Sequence, residues 1–593
     1  MRGILSWILV FSFFWVSAQE EQLADEYFKN GEFEKAQLAY LKLFENEPAN
    51  NSYFSKLLDS YRQLEKFEDA NALVNSRLAR TKNPSYYVEL GYNYQLMDST
   101  AKAELNYKEA IERTRENPIF SYMVGNKFHD YSLLDEALEV YQLAMENSEK
   151  VNLNIQIARI YGEKGEVDKM FDGYLNYTAD KPEFTSNAKR IFTDFVSENS
   201  ENENNLMLKR LLLKRIQESP EIYWYDLLSW LFVQERDFKK SFIQEKALYR
   251  RSPESLSRLM GLGITAMEED DIETSKDIFT FITENTQDLQ QKLVSHEYLL
   301  DLKIKEAKSD ADLAAIKQEY ERLFSEFGRF EQTLSLQVSY AYFLAFHLKD
   351  PKAGSDYLKK SLNLPLSQFQ QATVKMQLAD ILVFQEKFNE ALIFYTQIQA
   401  NLKNSSVSQE ARFKVAKTSY YKGDFDWAES QLKILKASTS QLIANDALDL
   451  KLLISDNKYE DSLRTSLKLY AKADLFAFQN RKDEAISLLD KILEEHKGES
   501  ITDQALYKQG KLYEEKGLYD KAIANYEQII SDYGEDILVD DAFFRLGEIY
   551  SSKLMDPEKA KGFFEKIIFH HEDSIYFVEA RKKYRMLRGD AIN

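Results

Sequence analysis

Cysteine is absent from this 593-residue chain. Disulfides, thiolate nucleophiles, Cys-ligated zinc and iron–sulfur clusters are therefore excluded. The absence is compatible with an oxidising compartment without establishing one. Proline (9) and glycine (19) are scarce, and no Pro/Gly/Ser-rich linker interrupts the sequence. Independent domains are usually joined by such linkers. Length alone suggests roughly four domains, yet the chain reads as one continuous body. Positive charge is short as well: 77 Lys and Arg face 97 Asp and Glu, for a net charge of −20. An acidic surface repels phosphate backbones and anionic lipid heads, so no nucleic-acid partner is expected. What is present is core material, 44% hydrophobic and 13% aromatic, which argues for a folded protein.

Two local features qualify that composition. The most basic stretch, "LKRLLLKRIQ" (Leu208 to Gln217), spaces its cations among leucines as the wet side of a helix does. The start, "MRGILSWILVFSFFWVSAQEEQ", has a positive Arg2, an apolar run from Ile4 to Val16, and small residues at Val16 and Ala18. This pattern predicts a secretory signal peptide over 1–18, cleaved before Gln19; an uncleaved anchor is the alternative. The apolar run is short for a membrane span, and no cysteine follows it that could carry a lipid. No later stretch is apolar enough to cross a membrane.

Self-similarity is the dominant signal. In "LYKQGKLYEEKGLYDKAIANYEQII", Gly510 is followed at fixed offsets by Tyr513, Ala522 and Tyr526. The same offsets join Ala24, Tyr27, Ala36 and Tyr40, then Leu58, Tyr61, Ala70 and Val74. They recur from Gly91 (Tyr94, Ala103, Tyr107), Gly125 (Phe128, Ala137, Tyr141) and Ala158 (Tyr161, Met170, Tyr174). The five leading residues lie 34, 33, 34 and 33 apart. Small residues suit points where two helices approach closely, and aromatics fill the gaps beside them. Turns such as "KNGEFEKA", "EKGEVDKM" and "EKGLYDKA" supply a glycine C-cap and then an acidic helix start. One hairpin cannot bury its apolar face alone, so such hairpins stack.

These residues resemble the tetratricopeptide repeat (TPR), clearly over about 23–182 and again over 372–581. The resemblance implies an all-α, TPR-type α-solenoid: a right-handed superhelix of stacked helix–turn–helix repeats. Between 185 and 370 the offsets are only partly kept, as in Gly263, Ala266 and Phe279 or Ala341, Leu344, Ala353 and Tyr357. Two readings stand there: further worn repeats, or a helical insertion with its own site. "SENSENENN" (Ser197 to Asn205) reads as a loop. Beyond it, Ala379, Ala416, Ala473, Gly510 and Gly547 are spaced by 37, 57, 37 and 37. The long interval has room for one additional helix. The expected organisation is a signal peptide (1–18), an N-terminal array (19–184), degenerate repeats (185–370), repeats (371–437), a helical insertion (438–470) and longer-period repeats (471–593). The units over about 500–585 are similar to those of bacterial envelope proteins, the BamD-type assembly lipoproteins and the partners of the Tol–Pal system. The absent lipobox cysteine departs from the lipoprotein members.

Reactive constellations are missing. There is no G-x-S-x-G, H-E-x-x-H or G-x-x-x-x-G-K-[ST] motif. The six histidines are scattered except for His570 and His571, which as helix neighbours point about 100° apart and make poor joint ligands. Asp446, Asp449, Asp456 and Asp461 cluster without EF-hand spacing; Asp456 and Asn457 read more simply as a helix end. No enzyme activity, cofactor or metal is expected. By the resemblance, the first helix of each pair lines a concave groove. Its candidate peptide-contact residues are Tyr92, Gln95, Tyr122, Asn126, His129 and Arg159. The Lys/Asn/Arg carboxylate clamp of better-known members is replaced by Glu21, Asp25, Ser55 and Asp59. The resulting expectation is an exported scaffold, periplasmic or outer-membrane-associated, holding a protein or peptide partner. A ligand-binding or catalytic site in 185–370 is the alternative. Partner identity and oligomeric state are not encoded in the repeat.

Overall fold

Where a glycine and an aromatic sit sixteen or seventeen positions apart in this chain, two antiparallel helices close on each other. In the computed structural model, a Cβ added to Gly91 would stand 2.3 Å from the Tyr107 ring. The same test places Gly125 2.1 Å from Tyr141, Gly510 2.7 Å from Tyr526 and Gly547 2.6 Å from Phe564. Each glycine is thus a cradle for the ring carried by the second helix of its own hairpin. Residues 20–148, 151–253, 256–435, 441–459 and 462–590 are described. The signal peptide expected at 1–18 and Asp461 of the acidic cluster lie outside them. Among the described residues every regular element is a helix.

The chain divides into two compact units, with the division between Arg258 and Leu259. The first unit opens with a helix at 20–29 paired with Phe33–Asn46. Hairpins Asn51–Gln63/Phe67–Thr81, Ser85–Leu96/Thr100–Glu116, Ser121–Asp130/Leu134–Asn147 and Asn154–Glu163/Val167–Asp180 follow. Thr185–Phe192 and Glu203–Glu218 follow, each packed on Val167–Asp180, and the hairpin Ile222–Gln234/Phe238–Arg251 continues the series. The second unit repeats the scheme, from Leu259 in the Ser257–Glu268 helix to Phe577–Arg588. Helices therefore run through 185–370. The long interval before Ala473 holds the helix Gln441–Asn457.

Turn chemistry is only partly glycine. Gly31, Gly165 and Gly517 take the left-handed conformation between paired helices (φ 75, 76 and 71°). Glu65, Asp98, Ser132 and Arg236 adopt it at the same point in other hairpins, at φ 55–58°, a conformation unfavourable for any residue with a Cβ. Stacking evidently outweighs that local strain. Two details differ from expectation. "SENSENENN" is a loop only to Asn202, whose side chain caps the helix starting at Glu203. In "LKRLLLKRIQ", Leu208 and Leu212 are buried, but two cations are drawn inward. Lys209 pairs with Glu235 at 3.0 Å, and Arg215 lies over Trp224. Asn457 ends its helix, with Nδ2 donating to the Leu453 carbonyl at 2.9 Å. His570 and His571 sit at a helix end, the second packed on Phe543.

Candidate functional site

In the first unit, three consecutive first helices bring together a buried polar cluster. Arg62 lies near the end of Asn51–Gln63, Glu89 and Asn93 lie on Ser85–Leu96, and Lys127 lies on Ser121–Asp130 with Tyr131 as its C-cap. The Arg62 guanidinium donates to Asn93 Oδ1 (2.6 Å), to Glu89 Oε2 (2.6 Å) and to the Tyr131 hydroxyl oxygen (2.7 Å). Asn93 Nδ2 in turn donates to Asn71 Oδ1 at 3.0 Å. Tyr131 donates to Glu89, and Lys127 approaches the other Glu89 oxygen at 3.2 Å. The rings of Tyr92 and Tyr131 stack at 3.9 Å with a 4° tilt, and the guanidinium carbon lies 5.1 and 5.3 Å from their centres. That range permits cation–π attraction.

The Arg62 and Glu89 side chains are only 6% and 7% exposed. Such a pair persists only when its hydrogen-bonding capacity is nearly saturated, as it is here. Burial alone would raise the Glu89 carboxyl, but Arg62 and Lys127 beside it hold it below its ordinary value. Burial would lower Arg62, and Glu89 and Tyr131 raise it instead. Burial, then Glu89, pushes the Tyr131 hydroxyl well up. The cluster is charged, paired and short of reactive groups; chemically it is a rivet across three hairpins.

Around it the six sequence candidates separate into two sets. Tyr92 is held in the stack on Tyr131. Gln95 accepts from the Tyr107 hydroxyl at 2.7 Å, and Asn126 accepts from Tyr141 at 2.7 Å. His129 Nε2 meets the Glu163 carboxylate at 2.9 Å. Those four side chains are engaged inside the array. Tyr122 is 54% exposed, and Arg159 is exposed. They lie on neighbouring first helices, Ser121–Asp130 and Asn154–Glu163. Arg62, Glu89, Lys127 and Tyr131 were not singled out from the sequence. The available signal was opposite charge on first helices of adjacent repeats, Arg62 four after Leu58 and Glu89 two before Gly91.

The second unit uses the same device as a ladder. Asp380 pairs with Lys414 at 2.7 Å, Asp474 with Lys508, Glu514 with Arg545, and Glu548 with Lys583 at 3.0 Å. Asp380, Asp474 and Glu548 each follow the small residue of their repeat directly. Burial would raise Asp474, yet Lys508 and Lys417 hold it down. Ends of first helices also meet across longer spans. Gln479 Nε2 donates to the Phe384 carbonyl at 2.9 Å, and Lys472 pairs with Glu386 at 2.7 Å, 95 and 86 residues apart. Phe346, Phe384 and Phe478 close the same region, with ring centres 4.9–6.2 Å apart. Within 185–370, a recess of about 460 Å3 is lined by Lys303, Lys308, Asp312, Ile316 and Glu319. Its Asp312 is turned onto Ser309 as a helix cap, and Lys303 lies 4.0 Å from Glu319.

Residues 504–536 match the tetratricopeptide repeat family. The TPR repeat-containing protein MJ1428 of Methanocaldococcus jannaschii is 26% identical over 162 residues, which span 27% of this chain and 28% of that protein. Among solved structures, similarity is found to Naa15/Naa10 bound to HypK-THB, at TM-score 0.30 and 13% identity over 97% of each chain. The APC/C hetero-tetramer Cut9-Hcn1 gives TM-score 0.21 and 12% identity, over 97% of this chain and 98% of that one. The P58(IPK) TPR domain gives 0.19 and 13%, over 69% and 98%. With their hairpins and small-residue cradles, the described residues of each unit have an all-α, TPR-type α-solenoid fold. Among the described residues no helix is long and apolar enough to cross a membrane.

Proposed function

We propose that this tetratricopeptide repeat protein is a non-catalytic interaction scaffold of the bacterial cell envelope, exported and either periplasmic or outer-membrane-associated. A protein or peptide segment lies along the first-helix face of the repeats spanning 84–163. The fold class supports a binding role by analogy, since TPR arrays generally hold protein partners. The observation that carries the location is the exposure of Tyr122 and Arg159 on neighbouring first helices, while the other four candidates are engaged inside the array. Aromatic and arginine side chains dominate binding energy where they stand on rigid supports. The export signal read at 1–18 supports the compartment, and the repeat similarity over 500–585 supports the envelope.

The test is in-cell photo-crosslinking from positions 122 and 159, with positions on second helices as controls, followed by mass spectrometry. A discrete partner captured from 122 and 159 and not from the controls is the expected result. Uniform capture from all positions, or none, overturns the groove reading. Cell fractionation of the same strain tests the compartment separately.

A further inference from the structure

The last described helix, Phe577–Arg588, differs in charge from the rest of the chain. It carries five cations, Arg581, Lys582, Lys583, Arg585 and Arg588, against one carboxylate, Glu579, in a protein of net charge −20. Ala580 is its one fully buried side chain. Val578 is 77% exposed, Met586 58%, and Ile575 in the turn before the helix 85%. At 100° per residue, Val578, Lys582 and Met586 share one face, with Ile575 continuing it.

That face has a defined role at the preceding junction. The helix Val539–Ser552 starts 38 residues earlier, and its buried Ala542 corresponds to Ala580. In this register Phe544 and Glu548 correspond to Lys582 and Met586. Phe544 stacks on Tyr576 at 4.3 Å, and Glu548 pairs with Lys583 at 3.0 Å. Those positions are therefore where the first helix of the following hairpin docks. One step further along, the docking face is present, apolar and cationic, and no described residue covers it. Arg581 and Lys582 are exposed without an ion pair among the described residues.

We propose that the Val578–Lys582–Met586 face, extended by Ile575, binds an acidic amphipathic helix of a partner protein in the position a further first helix would take. Apolar contact with Val578, Met586 and Ile575 would supply affinity, and Arg581 and Lys582 would select carboxylates on the flanks. A bilayer fits less well, because this face repeats the positions by which Phe544 and Glu548 receive a single helix. A second copy stacking end to end also fits less well. The exposed residues of the helix at 20–29 are Gln22, Leu23, Glu26 and Lys29, with one apolar side chain among them.

The test measures fluorescence anisotropy of two stapled amphipathic helices with the intact protein. Both helices carry leucine on one face; one has glutamate on its flanks and the other lysine. The glutamate helix should bind and the lysine helix should not. Binding should weaken at least about tenfold in V578D/M586D and should weaken in K582E, with thermal unfolding unchanged because these side chains are exposed. Equal binding of both helices, or full binding by V578D/M586D, overturns the proposal. Flotation with phosphatidylglycerol vesicles that V578D/M586D abolishes, without peptide binding, overturns it in favour of a membrane. Self-association abolished by the same variant overturns it in favour of a second copy.

Discussion

Arg62 and Tyr131 are 69 residues apart in sequence, yet the Arg62 guanidinium donates to the Tyr131 hydroxyl oxygen at 2.7 Å. The bond skips a whole hairpin. It ties the second and fourth repeats together and leaves the third, carrying Glu89 and Asn93, riveted between them. A stack held only by contacts between adjacent hairpins can bend at each junction, since stability in repeat arrays is a sum of neighbour terms. A second-neighbour contact removes that freedom locally. Lys472–Glu386 and Gln479–Phe384 do the same in the second unit.

The Arg62–Glu89 pair should therefore behave as one unit. Arg62→Met leaves the Glu89 carboxylate buried with only Lys127 as a cation partner, and should cost about 3–5 kcal/mol locally. The double variant Arg62→Met/Glu89→Leu should cost less than the two singles combined, with a coupling of about 1–3 kcal/mol. Hydrogen exchange across the helices from Asn51 to Asp130 reads this directly. Additive effects would show that the pair is not coupled.

Glycine cradles and exposed glycines should respond to alanine with opposite signs. Gly510→Ala puts a methyl 2.7 Å from the Tyr526 ring and should destabilise by about 1–3 kcal/mol. Tyr526→Leu in the same chain should recover part of that loss. At Gly562, on the exposed side of a helix, nothing lies within 4 Å of an added Cβ. Alanine there should stabilise by about 0.5–1 kcal/mol. Urea unfolding of the two variants side by side checks both signs.

Asp503 predicts a pH effect. Burial first, with Asp536 adding to it, raises its carboxyl from 3.8 to about 6. The folded chain therefore binds the proton more tightly than the unfolded one. The cost of ionising Asp503 is absent below the unfolded value and complete above about pH 6, so it destabilises at neutral pH. Asp503→Asn should stabilise by roughly 1–3 kcal/mol near pH 7 and by little near pH 4. Melting curves across that range would refute the assignment if the gain were constant with pH.

At the candidate groove, Tyr122→Ala and Arg159→Glu should each weaken capture of the partner by about tenfold or more, because truncated anchors typically cost about 2 kcal/mol or more. Both side chains are exposed, so melting should not change. Gln95→Ala, by contrast, removes the acceptor of Tyr107 and should alter local stability before it alters binding. Affinity and hydrogen exchange measured on the same variants separate the two roles.

Hairpin architecture was legible in the sequence because it rests on local, repeated requirements. A second helix carrying Tyr107 or Tyr141 needs a Cβ-free partner sixteen residues earlier, and that demand shows as Gly91 and Gly125. The turn glycines were equally plain, though Glu65, Asp98 and Ser132 show that the conformation survives without them. The groove residues were legible only as positions. Spacing places Tyr92, Gln95, Asn126 and His129 on first helices, but it does not reveal that Tyr131, Tyr107, Tyr141 and Glu163 reach them.

By itself, then, the sequence determined that this protein is a stack of paired helices with acidic character. Periodicity and small-residue spacing act within one hairpin and its neighbour, and both can be counted along a chain. Only the tertiary structure decided which polar side chains on first helices are engaged and which, like Tyr122 and Arg159, stand exposed. That choice depends on contacts within a hairpin, as at Gln95 and Asn126, and on contacts between hairpins that reach 95 positions along the chain. Their geometry follows from how several hairpins twist together, a quantity that no single repeat contains.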